Sequence, residues 1–339
     1  MNCAYSRRSF EICLCLLPFI TQPFVMLLRE PLLQRYPVVV QIVVLLLLVL
    51  SSWLFSFLAG VALAQLIFGV PVLEMISGMG IPETRLEINL LKFMQMMNQL
   101  GAFIIPGFLF AFLVSPAVRD YLGLKRMPGL FGILSVALLM YLLLPVINEL
   151  VKLNEGMSLP SGLSAVEEWM RESEKKAEEL TGAFLRTTSY AGLFINLLIV
   201  GVLASVGEEL LFRAVLIRLF RSWFGNVHWA VVISAFIFSA FHMQFYGFLP
   251  RFLLGLIFGY LFVWSGSLWL PIIAHFINNS SAVVVYFLVN RGAIDASVDD
   301  FGSVQSPVLL IISILLSLAL LFFIFMNEKA GLRFLKRDD

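Results

Sequence analysis

The chain has 339 residues, of which 60% are hydrophobic and 13% are charged, and its mean hydropathy is +0.95. This composition excludes an ordinary soluble domain and is typical of a polytopic helical membrane protein. The net charge is +1, and Lys and Arg form no patch with interleaved aromatic residues, so we expect no nucleic-acid partner. The three cysteines, Cys3, Cys13 and Cys15, have no CxxC spacing, and we interpret them as small apolar residues.

Residues 12–28 are apolar but are interrupted by two prolines and a glutamine. They follow basic residues, as the hydrophobic region of a signal peptide would. However, Glu11 interrupts the basic start and no small-residue cleavage site precedes Arg29. We therefore predict an uncleaved helix that lies at the membrane interface or is half buried.

Later in the chain, eight stretches are long enough to cross a bilayer, which requires about 20 apolar residues each. They lie at roughly 37–68, 92–115, 128–148, 188–218, 228–247, 248–265, 267–290 and 307–326. We therefore predict an all-α, polytopic transmembrane helical bundle of about eight spans. The predicted parts are residues 1–187 with three spans and an outer acidic helical loop, a core at 188–290, and residues 291–339 with the last span and a basic tail.

Basic and acidic residues are distributed unequally between the two sides of this bundle. If the N-terminus is cytoplasmic, the inner segments contain most of the basic residues: Arg7, Arg8, Arg29, Arg35, Arg119, Lys125, Arg126, Arg218, Arg221, Lys329, Arg333, Lys336 and Arg337. The opposite side is richer in acidic residues. The positive-inside rule predicts a multi-pass protein of the cell membrane, inner or plasma, with cytoplasmic N- and C-termini.

The long loop at about 149–187 contains a helix signal. Ser164 with Glu167 three residues later has the pattern of a capping box, and apolar residues recur at helical spacing up to Phe184. The remaining residues of this helix are mostly Glu and Lys. We favour a solvated amphipathic helix on the outer surface over a lid that gates access of a substrate.

Two adjacent carboxylates and a guanidinium, those of Glu208, Glu209 and Arg213, lie inside one of the most apolar stretches. An ionisable side chain at membrane depth costs several kcal/mol and usually marks function. Glu209 and Arg213 share a helix face at i, i+4 spacing, whereas Glu208 lies about 100° round the helix from Glu209. One carboxylate can pair with Arg213 and the other is free for chemistry. A purely structural ion-pair cluster is the alternative.

The chain has three histidines, His228, His242 and His275. His228 lies at a predicted membrane edge, where an interfacial position accounts for it. His242 and His275 lie within predicted spans, and each shares a helix face with a residue four positions away, Phe238 and Asn279 respectively. A buried histidine that only makes a structural hydrogen bond is the alternative for either one taken alone.

Depth in the membrane brings these residues together. At a rise of 1.5 Å per residue, Glu208, His242 and His275 lie roughly 12–21 Å below the inner surface. We therefore predict a single polar layer, which is the composition of a hydrolytic site or of a proton path. A carboxylate with an imidazole can activate water, and a second imidazole with an amide can stabilise an oxyanion. A zinc site with two His and one Glu is the competing arrangement, with its ligands on separate helices.

Three sequence patterns occur in order on separate apolar helices: Glu208-Glu209-x-x-x-Arg213, Phe238-x-x-x-His242 and His275-x-x-x-Asn279. Together they resemble the three signature motifs of the CPBP family, the CAAX proteases and bacteriocin-processing enzymes also called the Abi family. The resemblance covers about residues 188–290 and extends to every signature residue. It implies that this segment is a CAAX-protease-like catalytic core.

By resemblance, the protein is an intramembrane endopeptidase that hydrolyses a peptide bond of a membrane-associated protein or peptide, either a CAAX-type substrate or a peptide precursor. The resemblance implies that Glu208 activates water with His242, and that His275 and Asn279 stabilise the oxyanion. It also implies that Glu209 and Arg213 support the site, and that Phe238 packs beside His242. The expected partners are membrane lipid and this substrate.

Members of the family have been described both as metalloproteases and as glutamate-dependent proteases. We favour the glutamate-dependent mechanism, which requires no cofactor, because it leaves distinct roles for His275 and Asn279. In the metal alternative, Glu208, His242 and His275 would bind zinc. Both mechanisms use the same residues.

Two other classes of function use the same polar layer. A non-catalytic membrane scaffold or immunity protein would bind a peptide or a partner in the same cavity, but it would not need the complete set of catalytic residues. A proton-coupled transporter would use the buried Glu and His as a relay. The chain lacks the paired, broken helices in two related halves that are typical of many transporters.

Overall fold

The computed structural model of the protein describes residues 31–78, 80–295 and 301–328. Every regular element in these residues is a helix, which confirms the predicted all-α fold. The predicted helix at 12–28, the three cysteines and the basic C-terminal tail lie outside the described residues.

The described part of the chain forms helices that we number α1 to α12. Their bounds are α1 Val38–Phe68, α2 Val72–Gly78, α3 Arg85–Val114, α4 Val118–Tyr121, α5 Leu130–Leu142, α6 Leu144–Glu155, α7 Ser164–Leu185, α8 Tyr190–Phe224, α9 Val227–Phe241, α10 Phe248–Ser265, α11 Trp269–Asn290 and α12 Pro307–Glu328.

Within the described ranges, six helices are long and apolar enough to cross a membrane, namely α1, α3, α8, α10, α11 and α12. The bent pair of α5 and α6 gives up to seven spans if it is counted as one. The predicted count of eight is therefore wrong. The main reason is the predicted span at 228–247, because α9 has only 15 residues. Such a helix is about 22 Å long, and the hydrocarbon core is about 30 Å thick.

The predicted span at 128–148 is divided into two helices. Helix α5 ends at Leu142, and α6 runs from Leu144 to Glu155 at an angle of 41° to it. Pro145 lies in the first turn of α6. Proline has no backbone N–H, and its ring clashes with the preceding turn, so the helix bends at this point.

Helix α7 confirms the predicted amphipathic helix but not its capping box. Ser164 is already the first helical residue, and Leu163 before it makes no side-chain cap. Glu167 accepts hydrogen bonds from Leu159 N at 2.9 Å and from Arg171 Nη2 at 2.8 Å. The bond from Arg171 is the main reason that the pKa of Glu167 lies below its ordinary value. The last turn of α7 is buried against α3 and α11.

Helix α8 lies at the centre of the bundle, where it packs against α3, α9, α10 and α11. The outer helices α1 and α12 expose large apolar side chains, including those of Phe55 and Phe322. Contiguous apolar surface of this kind marks an interaction surface, and on long apolar helices it fits contact with lipid. The carboxylates of α8 are therefore buried inside the bundle, whereas the outer helices expose apolar side chains.

Helices α3 and α8 contain three π-helical turns, at Leu100–Ile104, Leu197–Leu203 and Leu210–Leu216. A π turn interrupts the regular ladder of helical hydrogen bonds, and backbone groups at membrane depth need internal partners. In each turn a carbonyl accepts a hydrogen bond from a side chain of another helix. The donors and acceptors are Ser52 Oγ to Gly101 O at 2.8 Å, Asn279 Nδ2 to Val200 O at 3.0 Å and Ser234 Oγ to Phe212 O at 2.6 Å.

Candidate active site

Glu208 and Glu209 lie in the α-helical turn of α8 that separates its two π turns. Helix α3 approaches closely here, because a Cβ atom added at Gly207 would lie 3.0 Å from Phe103 Cβ. This approach helps to bury the carboxylates, and the residues Glu208 and Glu209 are 7% and 0% exposed. Glycine at position 207 therefore allows the two helices to enclose the acidic pair.

Glu209 is the anion of a buried charge cluster. Its Oε1 lies 2.9 Å from Arg213 Nη1, which confirms the predicted i, i+4 pair. Nη1 is not aligned for a hydrogen bond at this distance, so the pair is held by charge. The same Oε1 lies 2.8 Å from His275 Nδ1. Because a carboxylate only accepts, Nδ1 of His275 is the nitrogen that carries a proton.

Arg213 is also enclosed by aromatic rings. Its guanidinium carbon lies 4.3 Å from the ring centroid of Phe238 and 5.4 Å from that of Phe258. Such cation–π contacts stabilise a buried guanidinium. The side chain of Arg213 is 1% exposed, so its position is fixed by Glu209 and these rings.

Glu208 has different surroundings from its neighbour. The Oε2 atoms of Glu208 and Glu209 are both buried without a hydrogen-bond partner among the described residues, but Oε1 of Glu209 contacts His275 and Arg213, whereas Glu208 makes no hydrogen bond to these residues. The nearest cationic candidate is His275 Nε2 at 3.8 Å, which is too long for a hydrogen bond. A buried acceptor without a partner costs about 1–3 kcal/mol. Glu208 is therefore available to a water molecule or to a substrate group.

His242 follows the last residue of α9 and caps this helix. Its Nδ1 lies 2.9 Å from Phe238 O, and a carbonyl only accepts, so Nδ1 donates. In the neutral imidazole the Nε2 atom is then an acceptor. The ring centroids of His242 and Phe238 are 5.2 Å apart, which confirms the packing implied by the resemblance. His242 also interacts electrostatically with Glu208 and His275.

The chain reverses direction directly after His242. Met243 has φ of 53°, and it is the one non-glycine residue with positive φ in the part of the chain that the structure describes. A left-handed conformation costs such a residue about 1–2 kcal/mol. Backbone strain of this kind often occurs at functional sites. The segment 242–247, which we call the His242 loop, therefore begins at a strained residue.

Polar side chains of α6 and α7 hold the His242 loop. Asn154 Nδ2 donates to Phe245 O at 3.0 Å, and Asn154 Oδ1 accepts from Leu249 N at 2.8 Å. Glu174 Oε2 accepts from Tyr246 N at 3.1 Å. Sequence reasoning missed these contacts, because no local pattern pairs a residue with a loop that lies about 70–95 positions later.

Asn279 lies one helical turn after His275 on α11. Its Nδ2 donates to Val200 O at 3.0 Å, and its Oδ1 accepts from Asn278 Nδ2 at 3.2 Å. An amide nitrogen has two hydrogens, so Nδ2 keeps one N–H for another acceptor. His228 lies apart from this group, in the first turn of α9, where its Nδ1 lies 2.9 Å from Tyr260 Oη.

The residues of the metal alternative do not form a metal site in this structure. Across residues 31–78, 80–295 and 301–328, no three His, Cys, Asp or Glu side chains are grouped so that they could hold a metal ion. Glu208, His242 and His275 thus share a region of the bundle without forming a set of zinc ligands.

Arg251 is a further charged residue beside this group, and sequence reasoning did not include it in the site. It lies in the first turns of α10 and interacts electrostatically with Glu208 and with Glu174. Its Nη1 donates to Gln244 O at 3.1 Å, and its Nη2 donates to Gln244 Oε1. The sequence could have indicated Arg251, because it is a charged residue at the start of the predicted span 248–265. Arg213 was selected for the same reason, as a charged residue within the predicted span 188–218.

Residues 190–281 match a family model described as type II CAAX prenyl endopeptidase, Rce1-like. The matched segment includes all six predicted site residues, from Glu208 to Asn279. No curated protein and no solved structure matches the chain.

Proposed function

We propose, from the match of residues 190–281 to a family model of type II CAAX prenyl endopeptidases, that the protein is an intramembrane endopeptidase of the CPBP type in which Glu208 and His242 activate the attacking water. One observation carries the proposal, namely the contrast between two adjacent buried carboxylates. Oε1 of Glu209 holds both Arg213 and His275, whereas Glu208 has no hydrogen bond to the described residues.

The hydrogen bond from His242 Nδ1 to Phe238 O supports the role of His242 as a base. It leaves the Nε2 lone pair to accept a proton from water, while Glu208 accepts the second hydrogen bond of the same water. The hydroxide so formed attacks the carbonyl carbon of the scissile peptide bond. The proton held on His242 then passes to the nitrogen of the leaving amine, which completes the hydrolysis.

His275 and Asn279 are suited to stabilise the oxyanion of the tetrahedral intermediate. The protonated imidazole of His275 would donate from Nε2, while its Nδ1–H is held by Glu209. Glu209 would stabilise this imidazolium, and Arg213 would fix the orientation of Glu209. Asn279 would donate the N–H that is not bonded to Val200 O. The acidic pair thus divides into a reactive residue and a supporting residue.

The proposed substrate is a membrane-associated protein or peptide, with a CAAX-type protein as the first candidate because the matching family model describes a CAAX prenyl endopeptidase. The proposed location is the cell membrane, with cytoplasmic termini. The proposed mechanism requires no cofactor, and zinc enters none of its steps.

A comparison of membrane proteomes tests the proposal. Cells that express the wild-type protein, Glu208→Ala or Glu74→Ala would be compared for protein termini created by cleavage. Glu74 is an exposed carboxylate on α2, so it is the matched control. We expect a set of termini that depends on Glu208 and is retained in the control. Identical termini in all three strains would contradict proteolysis and would favour a non-catalytic peptide binder.

A further inference from the structure

Arg251 is a guanidinium at the edge of the proposed site that has no carboxylate within salt-bridge distance among the described residues, although it is only partly exposed. Glu208 and Glu174 are the carboxylates that interact with it electrostatically. Glu174 already accepts the Tyr246 N–H. A partly buried cation without a close counterion is unfavourable, so this position is suited to bind an anion.

The surroundings of Arg251 are built to hold its guanidinium in one orientation. Gln244, in the His242 loop, accepts hydrogen bonds from both Nη atoms. A Cβ atom added at Gly247 would lie 2.6–2.7 Å from Nη1, Cζ and Nη2, so the guanidinium lies directly against this glycine. One N–H on each Nη atom and the Nε–H have no partner among these bonds. The loop that carries His242 therefore also positions a forked donor.

We propose that Arg251 binds the C-terminal carboxylate of the substrate. A guanidinium binds a carboxylate with two parallel hydrogen bonds, which an ammonium cannot do. The inference rests on the proposed function, because a CAAX motif is by definition C-terminal and brings one carboxylate close to the scissile bond. Binding through Arg251 would place this terminus at a fixed distance from Glu208 and His242. The enzyme would then select substrates that have a free C-terminal carboxylate near the scissile bond.

The test uses a fluorescent farnesylated peptide that ends in Cys-aliphatic-aliphatic-X, with either a free C-terminal carboxylate or a C-terminal amide. Binding is measured by fluorescence anisotropy in neutral phosphatidylcholine nanodiscs. The protein carries His242→Ala to prevent cleavage, and is compared with the same protein carrying Arg251→Gln or Arg251→Lys. Arg119→Gln, which removes an exposed cation, is the control for net charge.

With Arg251 present, we expect the amide to weaken binding by about 10- to 100-fold, since the amide loses the charge-assisted hydrogen bonds to the guanidinium. Arg251→Gln should reduce this difference to less than about 3-fold, and Arg251→Lys should give an intermediate value. The Arg119→Gln control should retain the full difference. An equal effect of amidation in all variants would overturn the proposal.

Three further results distinguish the remaining explanations. If Arg251→Gln does not fold, the comparison with Arg251→Lys decides, and an undiminished preference for the carboxylate in that variant overturns the proposal. If added phosphatidylglycerol abolishes the preference only when Arg251 is present, the site binds lipid headgroups and the proposal fails. If the preference depends on Arg251 but the protein with His242 intact leaves the peptide uncleaved, the inference stands and the proposed proteolysis of such peptides is wrong.

Discussion

In the proposed mechanism, Glu208 can bind the attacking water because its buried Oε2 has no hydrogen-bond partner among the described residues. Glu208→Gln keeps the shape of the side chain and removes its charge, and His242→Ala removes the second group that is proposed to contact the attacking water. We expect each change to abolish turnover on a verified substrate while the protein remains folded and inserted. Because both groups act on one step, the double variant should be little worse than either single variant.

The measurement is turnover of purified protein in lipid nanodiscs, together with thermal melting to establish that each variant is folded. Losses that multiply strictly in the double variant would argue against a shared step. Near-normal turnover of either single variant would show that the water is activated elsewhere.

Arg213 holds a buried carboxylate, so its loss should affect stability as well as activity. Arg213→Ala leaves Glu209 without its close cation, and breaking a buried pair in this way costs about 3–5 kcal/mol. Arg213→Lys should restore only part of this, because an ammonium cannot reproduce the planar contacts with Phe238 and Phe258. The free energy of unfolding in detergent measures the effect of each of these two substitutions. An unfolding free energy of Arg213→Ala equal to that of the wild type would contradict a structural role.

Two measurements distinguish stabilisation of the oxyanion by His275 and Asn279 from binding of a metal ion. If Asn279 only donates to the oxyanion, Asn279→Ala should lower kcat by about 10²–10³-fold with little change in KM. His275→Ala should lower kcat at least as much, because it also removes the partner of Glu209. Elemental analysis and chelation of the purified protein test the alternative. Stoichiometric zinc that is lost together with activity on chelation would overturn the metal-free mechanism.

Individual residues of the candidate site could be selected from the sequence because charge in an apolar stretch requires an explanation. Spacing alone gave the pairing of Glu209 with Arg213 and the shared face of Phe238 and His242. The bond between Glu209 and His275 joins residues 66 positions apart, and no local pattern could indicate it. The tautomer of His242 could not be predicted from the sequence either, because it follows from a contact of Nδ1 with a backbone carbonyl.

At the scale of elements, α6 and α7 hold the loop that carries His242. Asn154→Leu removes two hydrogen bonds to this region, and a buried polar group left without a partner costs about 1–3 kcal/mol. We expect faster hydrogen exchange at the amides of residues 245–249 and a lower kcat, while the exchange of α8 is unchanged. Glu174→Gln should have a smaller effect, because an amide oxygen can still accept from Tyr246 N.

Glu172→Gln, at an exposed position on the same helix, is the control for charge on α7. Unchanged exchange of the His242 loop in Asn154→Leu would mean that α6 does not restrain it. Activity that is lost without a change in exchange would point to a direct role for Asn154 in the reaction.

The helices themselves were predictable from apolar runs, but their interruptions were not. The end of α9 at Phe241 follows from the turn at Met243, whose left-handed conformation nothing in its side chain favours. The bend before α6 could have been predicted from Pro145, since proline in an apolar run is a known cause of bending. No particular amino-acid composition marks the π turns. Their carbonyl groups accept hydrogen bonds from side chains of other helices, which the local sequence does not show.

At the scale of the whole molecule, the distribution of charge predicts which loops face the cytoplasm. Single cysteines at Lys125 and Ser161, in a protein whose native cysteines are replaced by serine, test it with a membrane-impermeant maleimide. Both positions are exposed. We expect labelling of Lys125→Cys only in inside-out vesicles and of Ser161→Cys only in right-side-out vesicles. Labelling of both from the same side would contradict the predicted orientation.

The two π turns of α8 have a consequence for how this sequence can vary in length. Each π turn contains about one residue more than the regular helix needs, and one residue corresponds to a rotation of about 100°. A deletion within Leu197–Leu203 or Leu210–Leu216 would remove this extra residue, so the turn would become a regular α-helical turn and the helix on both sides would keep its direction. Helix α11 has no π turn, and a deletion between His275 and Asn279 would turn Asn279 by about 100° relative to His275. We therefore expect a single-residue deletion in either π turn of α8 to be tolerated better than one between His275 and Asn279, because only a π turn has a residue to lose without changing the direction of the side chains that follow.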